Sequence, residues 1–327
     1  MNQVTKIIRR AVLGKPEKYN ILTFPTHERY ETQLCKTGHN FYAFHAEGMK
    51  EWNADYAAIP TNYYRLPSNS IYQGINYDFI LSQSKFGQFQ IATQIQERLN
   101  IPMLSLEHTV PIPSWPDGKA RSLASMVGDV NIFISQYSRN AWKVPSKNTA
   151  IVHHSVDTNT FQPLEIDSQP HVLSVVNDFK DRDYCCNYSG WERITTGMNT
   201  RLVGSSTDGL SKPASSVAEL VEEYNKCQVF LNTSTFSPVP TTLLEAMACG
   251  CAVVSTATCM IPEVINHGEN GMISNDEQEL SSCINQLLQD EDLRVRLGQA
   301  ARDTILSKFS EPEFIQNWNS LFDEVVQ

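Results

Sequence analysis

Two threonines followed one helical turn later by a glutamate form a constellation suited to holding a nucleotide, and residues 234–271 carry one. Here an apolar strand-like run, Gln228–Leu231, leads through Ser234-Thr-Phe-Ser-Pro-Val-Pro240 into a short helix, Thr242–Cys249, that Gly250 stops. A second apolar run, Cys251–Ser255, follows. Thr241 and Thr242 lie at the start of that helix, where free amides, hydroxyls and the positive end of the helix dipole favour an anion such as a diphosphate. Glu245, one turn in, is placed to accept hydrogen bonds from a ribose diol. Spacing alone leaves a second reading open, since Thr242-Leu-Leu-Glu245 is also a capping box in which Glu245 does no more than close its own helix.

Three other groups stand where ligands of open α/β sheets bind, just beyond the carboxyl ends of predicted strands. His108 follows the run Pro102–Leu106, and His27, Glu28 and Arg29 follow Tyr19–Phe24. The triplet Asp181-Arg-Asp183 has the form of a metal-binding D-x-D, a pattern short enough to arise by chance. The eight cysteines show no C-x-x-C spacing, so no metal site is expected of them and they read as free thiols.

These residues need a scaffold, and the chain alternates strand and helix signals throughout. Further strands are predicted at Asn40–Phe44, Asp78–Ser82, Val130–Ile134, His171–Val176 and Arg201–Gly204. A helix is predicted over Gly87–Leu99, with Phe89, Ala92, Ile95 and Leu99 on one side. Ser216-Val-Ala-Glu219 reads as a capping box opening another helix, whose face carries Val217, Leu220, Val221 and Tyr224. Three helices, near 276–289, 291–308 and 312–326, finish the chain. Residues 111–119 read as a Pro-rich loop and 157–170 as an interdomain linker. Such alternation predicts parallel sheets covered by helices, and 327 residues suffice for two domains.

The net charge of −10 is unevenly spread, at +4 over residues 1–164 and −14 over 165–327, which predicts different partners for the two halves. Lys6, Arg9, Arg10, Lys15 and Lys18 cluster near the start, while Arg139, Lys143 and Lys147 follow a strand. A basic half favours a polyanionic partner. No apolar run is long enough to span a bilayer, and the first residues lack the apolar core of a secretory signal, so a cytoplasmic protein is expected.

The stretch Leu244-Glu-Ala-Met-Ala-Cys-Gly-Cys-Ala-Val-Val254, followed by Pro262-Glu-Val-Ile-Asn-His-Gly-Glu-Asn-Gly271, resembles the donor-site signature of GT-B glycosyltransferases of the retaining family 4 type. Ile151-Val-His-His-Ser-Val-Asp-Thr-Asn-Thr-Phe161 is similar to the family's junction element, with Ser155 in place of Gly. The resemblance covers 151–327 and is weaker before it. It implies two Rossmann-like domains with parallel sheets facing a central cleft. The first, 1–160, would bind the acceptor; the second, 161–310, would bind a nucleotide-sugar, a UDP-sugar above all; and a final helix, 311–327, would return to the first. By the same resemblance, Glu245 binds the ribose, Thr241 and Thr242 lie near the diphosphate, His108 lies beside the sugar, and Lys180 and Arg182 neutralise the diphosphate. No metal or other cofactor is implied. Ser237 stands where the family has a second glutamate near the transferred sugar, which puts the usual sugar contacts in doubt.

The acceptor is less constrained. The segments Pro25–Thr32 and Lys36–His39 look similar to bacteriophage glycosyltransferases, which points to hydroxymethylated cytosine in DNA and to the host cytoplasm, with Trp115, Tyr63 or Tyr64 as aromatic aides. Two alternatives stay open: an envelope-polysaccharide or lipopolysaccharide transferase touching a membrane through Lys6–Lys18, and a non-catalytic sugar-nucleotide-binding protein.

Overall fold

The computed structural model describes residues 16–49, 51–54 and 57–326. The basic residues Lys6, Arg9, Arg10 and Lys15 lie outside them. The chain divides into two units, one comprising residues up to His154 together with those from Phe314 on, the other Ser155–Glu313.

The first unit holds a seven-stranded sheet of β1 (Asn20–Phe24), β2 (Asn40–Ala43), β3 (Tyr63–Arg65), β4 (Phe79–Ser82), β5 (Met103–Glu107), β6 (Val130–Phe133) and β7 (Thr149–Ile151), in the order 3-2-1-4-5-6-7. All its pairings are parallel. Helices α1 (Glu28–Cys35), α2 (Gln88–Leu99), α3 (Asp117–Ala124) and α4 (Gln136–Trp142) connect the strands. The predicted Pro-rich loop is therefore cut short, because helix α3 starts at Asp117, directly after the last of its prolines. β4, β5 and β6 are buried along their whole length, as expected of parallel strands covered on both faces.

The second unit holds β8 (Gln169–Val175), β9 (Thr200–Val203), β10 (Cys227–Asn232), β11 (Ala252–Ser255) and β12 (Met272–Ile273), ordered 12-11-10-8-9 and again parallel throughout. Its helices are α5 (Asp183–Cys186), α6 (Tyr188–Ile194), α7 (Val217–Lys226), α8 (Thr241–Ala248), α9 (Ile261–Val264), α10 (Glu277–Gln289) and α11 (Glu291–Lys308). Helix α12 (Glu311–Val326) groups from Phe314 on with the first unit. There it packs Phe322 against Phe79, with ring centres 5.0 Å apart, and Asp323 accepts a hydrogen bond from the Tyr19 hydroxyl at 2.9 Å.

The division falls after His154 rather than after residue 160, and before Phe314 rather than at 310. The reason is apolar burial: Val156, just before the predicted linker, and Phe161, within it, sit in the core of the second unit. The predicted capping box at Ser216 forms by half. Ser216 Oγ accepts the Glu219 amide at 3.1 Å, but the Glu219 carboxylate turns to the Ser215 amide at 2.6 Å instead of that of Ser216.

One close approach fixes the second unit's packing. Gly250, at φ +78°, ends α8 in a left-handed turn, and Gly298 of α11 lies against it. A Cβ at position 298 would sit 2.1 Å from the Gly250 carbonyl oxygen. Gly298→Ala should therefore cost about 1–3 kcal/mol of stability as overpacking. An unshifted urea midpoint would show that α11 and α8 do not meet so closely.

Candidate functional site

Each sheet reverses its strand order once, between β1 and β4 in the first unit and between β8 and β10 in the second. At such a point the two outgoing loops diverge and leave a crevice at the carboxyl edge. In the second unit these loops are Val176–Arg182 and Thr233–Pro240.

The predicted donor residues gather there. The Thr235 and Phe236 amides both donate to the Cys185 carbonyl, at 2.9 and 3.1 Å, and Thr233 Oγ1 donates to the Cys186 carbonyl at 2.9 Å. These bonds tie the loop carrying Ser237 to the turn carrying Lys180 and Arg182. From the far side, Thr256 and Thr258 hydroxyls donate to the Ser234 carbonyl at 2.5 and 2.7 Å. The loop then enters α8, whose N-cap is Pro240 and which has no side-chain cap; Thr241 is exposed and Thr242 half-buried at its open end. Ser237 is half-buried in the loop itself.

This geometry removes the capping reading of Glu245. Because α8 begins at Thr241, Glu245 is the fifth helical residue, too far in to cap the helix. Its Oε2 instead accepts a hydrogen bond from the Tyr224 hydroxyl at 2.9 Å, both side chains being buried. Burial and the adjacent carboxylate hold the Tyr224 phenol well above its usual range, so it stays a donor. Tyr224 was legible in the sequence only as an apolar-face residue of its helix.

Lys180 and Arg182 are exposed. The Lys180 ammonium lies 3.1 Å from Asp208 and 5.3 Å from the centre of the Tyr188 ring. With both partners of that ion pair largely in solvent, it contributes about 0–1 kcal/mol and yields readily to a better anion. The D-x-D carboxylates have separate partners: Asp181 takes the Thr207 hydroxyl at 3.1 Å and Asp183 the Ser189 amide at 2.8 Å.

His108 lies in the first unit, just beyond β5 and half-buried. Its Nε2 faces Gln83 Oε1 at 3.1 Å, its Nδ1 faces His154 at 3.4 Å, and its ring meets Tyr30 edge-on at 4.5 Å. Gln83 in turn donates to the fully buried Glu31 at 2.5 Å and to Thr23 at 3.1 Å. Burial pushes His108 well below the usual imidazole range and His154 down to about 4, and lifts Glu31 to about 8. At neutral pH the network is therefore uncharged. His27 caps α1 by accepting the Arg29 amide at 3.2 Å. His27 and Glu28 line a cavity of about 430 Å³ at this edge, whereas Arg29 is exposed outside it. Gln83, Glu31 and His154 carry no motif in the sequence, and only the fold assembles them. Of the aromatic aides, Tyr63 is buried and Tyr64, 41% exposed, stacks on Tyr42.

Residues 212–304 match the family model of the glycosyl transferases group 1. Over 94% of this chain and 100% of the other, the structure superposes on Anabaena Alr3699/HepE in complex with UDP with a TM-score of 0.72 at 16% identity. The same TM-score and 14% identity relate it to sucrose-phosphate synthase from Thermosynechococcus elongatus, over 94% and 99% of the two chains. The fold is GT-B. Among sequence relatives, the N-acetyl-alpha-D-glucosaminyl L-malate synthase of Bacillus anthracis is 31% identical over 34% of this chain and 29% of that protein. The N,N'-diacetylbacillosaminyl-diphospho-undecaprenol alpha-1,3-N-acetylgalactosaminyltransferase of Campylobacter jejuni is 27% identical over 50% and 47%. The match thus spans less than half the length of either relative. Among the described residues, no helix of this GT-B chain is long and apolar enough to cross a membrane.

The histidine pair has a pH signature. Because the folded state holds His108 and His154 neutral while the unfolded chain protonates them near 6.5, their contribution is complete above pH 6.5 and is lost as pH falls toward about 4. His154→Gln should flatten that acid limb. Parallel pH–stability curves for variant and parent would overturn the assignment.

Proposed function

We propose that this chain is a retaining glycosyltransferase that takes its sugar from a UDP-sugar bound at the carboxyl edge of the second unit. The observation that carries the reading is the Tyr224–Glu245 hydrogen bond, which takes the carboxylate away from capping and leaves the N-terminus of α8 open above it. Glu245 then takes the ribose hydroxyls, and the amides and hydroxyls at Thr241–Thr242 take the diphosphate. Lys180 and Arg182, across the same crevice, neutralise the departing diphosphate. The acceptor hydroxyl oxygen bonds to the anomeric carbon as the bond to the diphosphate oxygen breaks; its proton passes to the leaving diphosphate, so no protein nucleophile and no metal take part. His108, uncharged, positions the sugar by hydrogen bonding. UDP in the Anabaena structure and the transferase names of the sequence relatives support this reading.

For the acceptor, the relatives favour a glycan or small hydroxylated molecule over hydroxymethylated cytosine in DNA, since none of the names above refers to DNA. Exposed Arg139, Lys143 and Lys147 are the basic residues of the first unit that would serve a polyanion.

Glu245→Ala should weaken UDP binding about 10–100-fold by calorimetry, the scale of hydrogen bonds to a charged group. Unchanged affinity would sink the ribose role. Lys180→Ala and Arg182→Ala should each lower kcat by about 10–100-fold, in keeping with loss of a leaving-group contact. A change confined to KM would refute that role.

A further inference from the structure

The cavity of about 430 Å³ at the carboxyl edge of the first unit falls within the usual range for small-ligand sites, about 300–1,000 Å³. We propose that it binds a neutral, hydroxyl-rich ring, a glycosyl unit, with the face of Trp52 as its stacking platform and Glu31 as its hydroxyl partner. This deepens the reading above by assigning the chemical class of the acceptor, and depends on that reading only in calling the occupant an acceptor.

Trp52 lines the cavity half-buried, with its indole N–H already spent on the Ala57 carbonyl at 2.7 Å and its ring 4.8 Å from Tyr63. What it has left to offer a ligand is its aromatic face. The loop that bears it is anchored by Glu28, whose Oε1 accepts the Asn53 amide at 2.9 Å. Phe86, 46% exposed, and Phe44 add further apolar wall. An amphipathic ring with one apolar face and a hydroxyl rim matches such a wall.

Glu31 lines the same cavity from beneath. It has no exposed surface, its Oε1 takes the Gln83 amide, and its Oε2 has no hydrogen-bond partner. A buried polar atom without a partner costs about 1–3 kcal/mol, and a ligand hydroxyl would relieve that.

Charge does not favour a phosphate-rich occupant. The lining carboxyl groups are Glu28, Glu31 and Glu51, and the one guanidinium or ammonium among the lining residues is Arg65, which is paired with Glu51. His45 also contacts Glu51, at 3.1 Å. With Glu31 held neutral by burial and Arg65 committed to Glu51, no guanidinium or ammonium among the lining residues is left for the phosphates of a polyanion. The exposed cations Arg139, Lys143 and Lys147 are not among the cavity's lining residues.

The test is saturation-transfer NMR on the full chain with a panel of methyl hexopyranosides, glucose 1-phosphate and a single-stranded oligonucleotide containing hydroxymethylcytosine. At least one methyl glycoside should bind, about tenfold or more weaker in Trp52→Ala, as for a central aromatic anchor, and near parent affinity in Trp52→Phe. Glu31→Ala should weaken the same glycoside, and the oligonucleotide should not displace it. Near-UV circular dichroism checks that the variants fold. No glycoside signal, an unaffected Trp52→Ala, or displacement by the oligonucleotide each overturns the proposal. UDP binding, measured in parallel, reports on the donor reading separately: its absence would count against that reading and leave the cavity's assignment standing.

Discussion

Parallel pairing is the constraint from which the rest follows. Since every strand of each sheet runs the same way, every connection must return across a face, and all carboxyl ends finish at one edge. Most return paths carry helices, which cover the strands and account for runs such as Phe79–Ser82 and Ala252–Ser255 with no exposed member. Where strand order reverses, neighbouring loops part. Both sets of polar residues considered above occupy those partings, one per unit. Residues distant in sequence, such as Lys180 and Thr241 or Gln83 and His108, share an edge because the topology sends them there.

The two edges solve the burial of polar groups differently. In the second unit a carboxylate is kept with a phenol donor fixed on it, and Tyr224 is itself locked by packing against Phe161 and Phe230. A fixed acceptor one turn into an uncapped helix would suit the nucleotide proposed above: the helix start supplies positive potential and the carboxylate supplies direction. The first unit buries Glu31, His108 and His154 together, and low polarity forces each toward its neutral form. Such a network can hold and orient hydroxyls without presenting net charge.

The acidic second half would carry its anion on a few local groups, the α8 N-terminus, Lys180 and Arg182, rather than on overall potential. In the first half the exposed cations Arg139, Lys143 and Lys147 lie on α4 and its flank and are not among the cavity's lining residues, where the guanidinium is that of Arg65. Net charge by halves averages over surface that the cavity does not see, so it says little about the chemistry of the cavity's occupant.

Much of the architecture was legible from residues alone. The strands at 20–24, 79–82, 103–107, 227–232 and 252–255 are largely apolar runs, and runs of that kind between helical stretches leave parallel sheets as the economical arrangement. The placement of Thr241, Thr242 and Glu245 on a short helix was likewise readable, because Gly250 marks its end. The edge strands Tyr63–Arg65, Thr149–Ile151 and Met272–Ile273 were not, since two or three residues give no periodicity. That Glu245 does not cap its helix turned on where α8 begins, and its partner Tyr224 lies twenty-one residues earlier in the chain. Likewise the meeting of Glu31, Gln83, His108 and His154, and the cavity behind Trp52, exist only once distant strands are laid side by side. Sequence spacing encodes local periodicity and helix ends; the burial that sets protonation, and the partner that aims a carboxylate, are properties of surfaces brought together by folding.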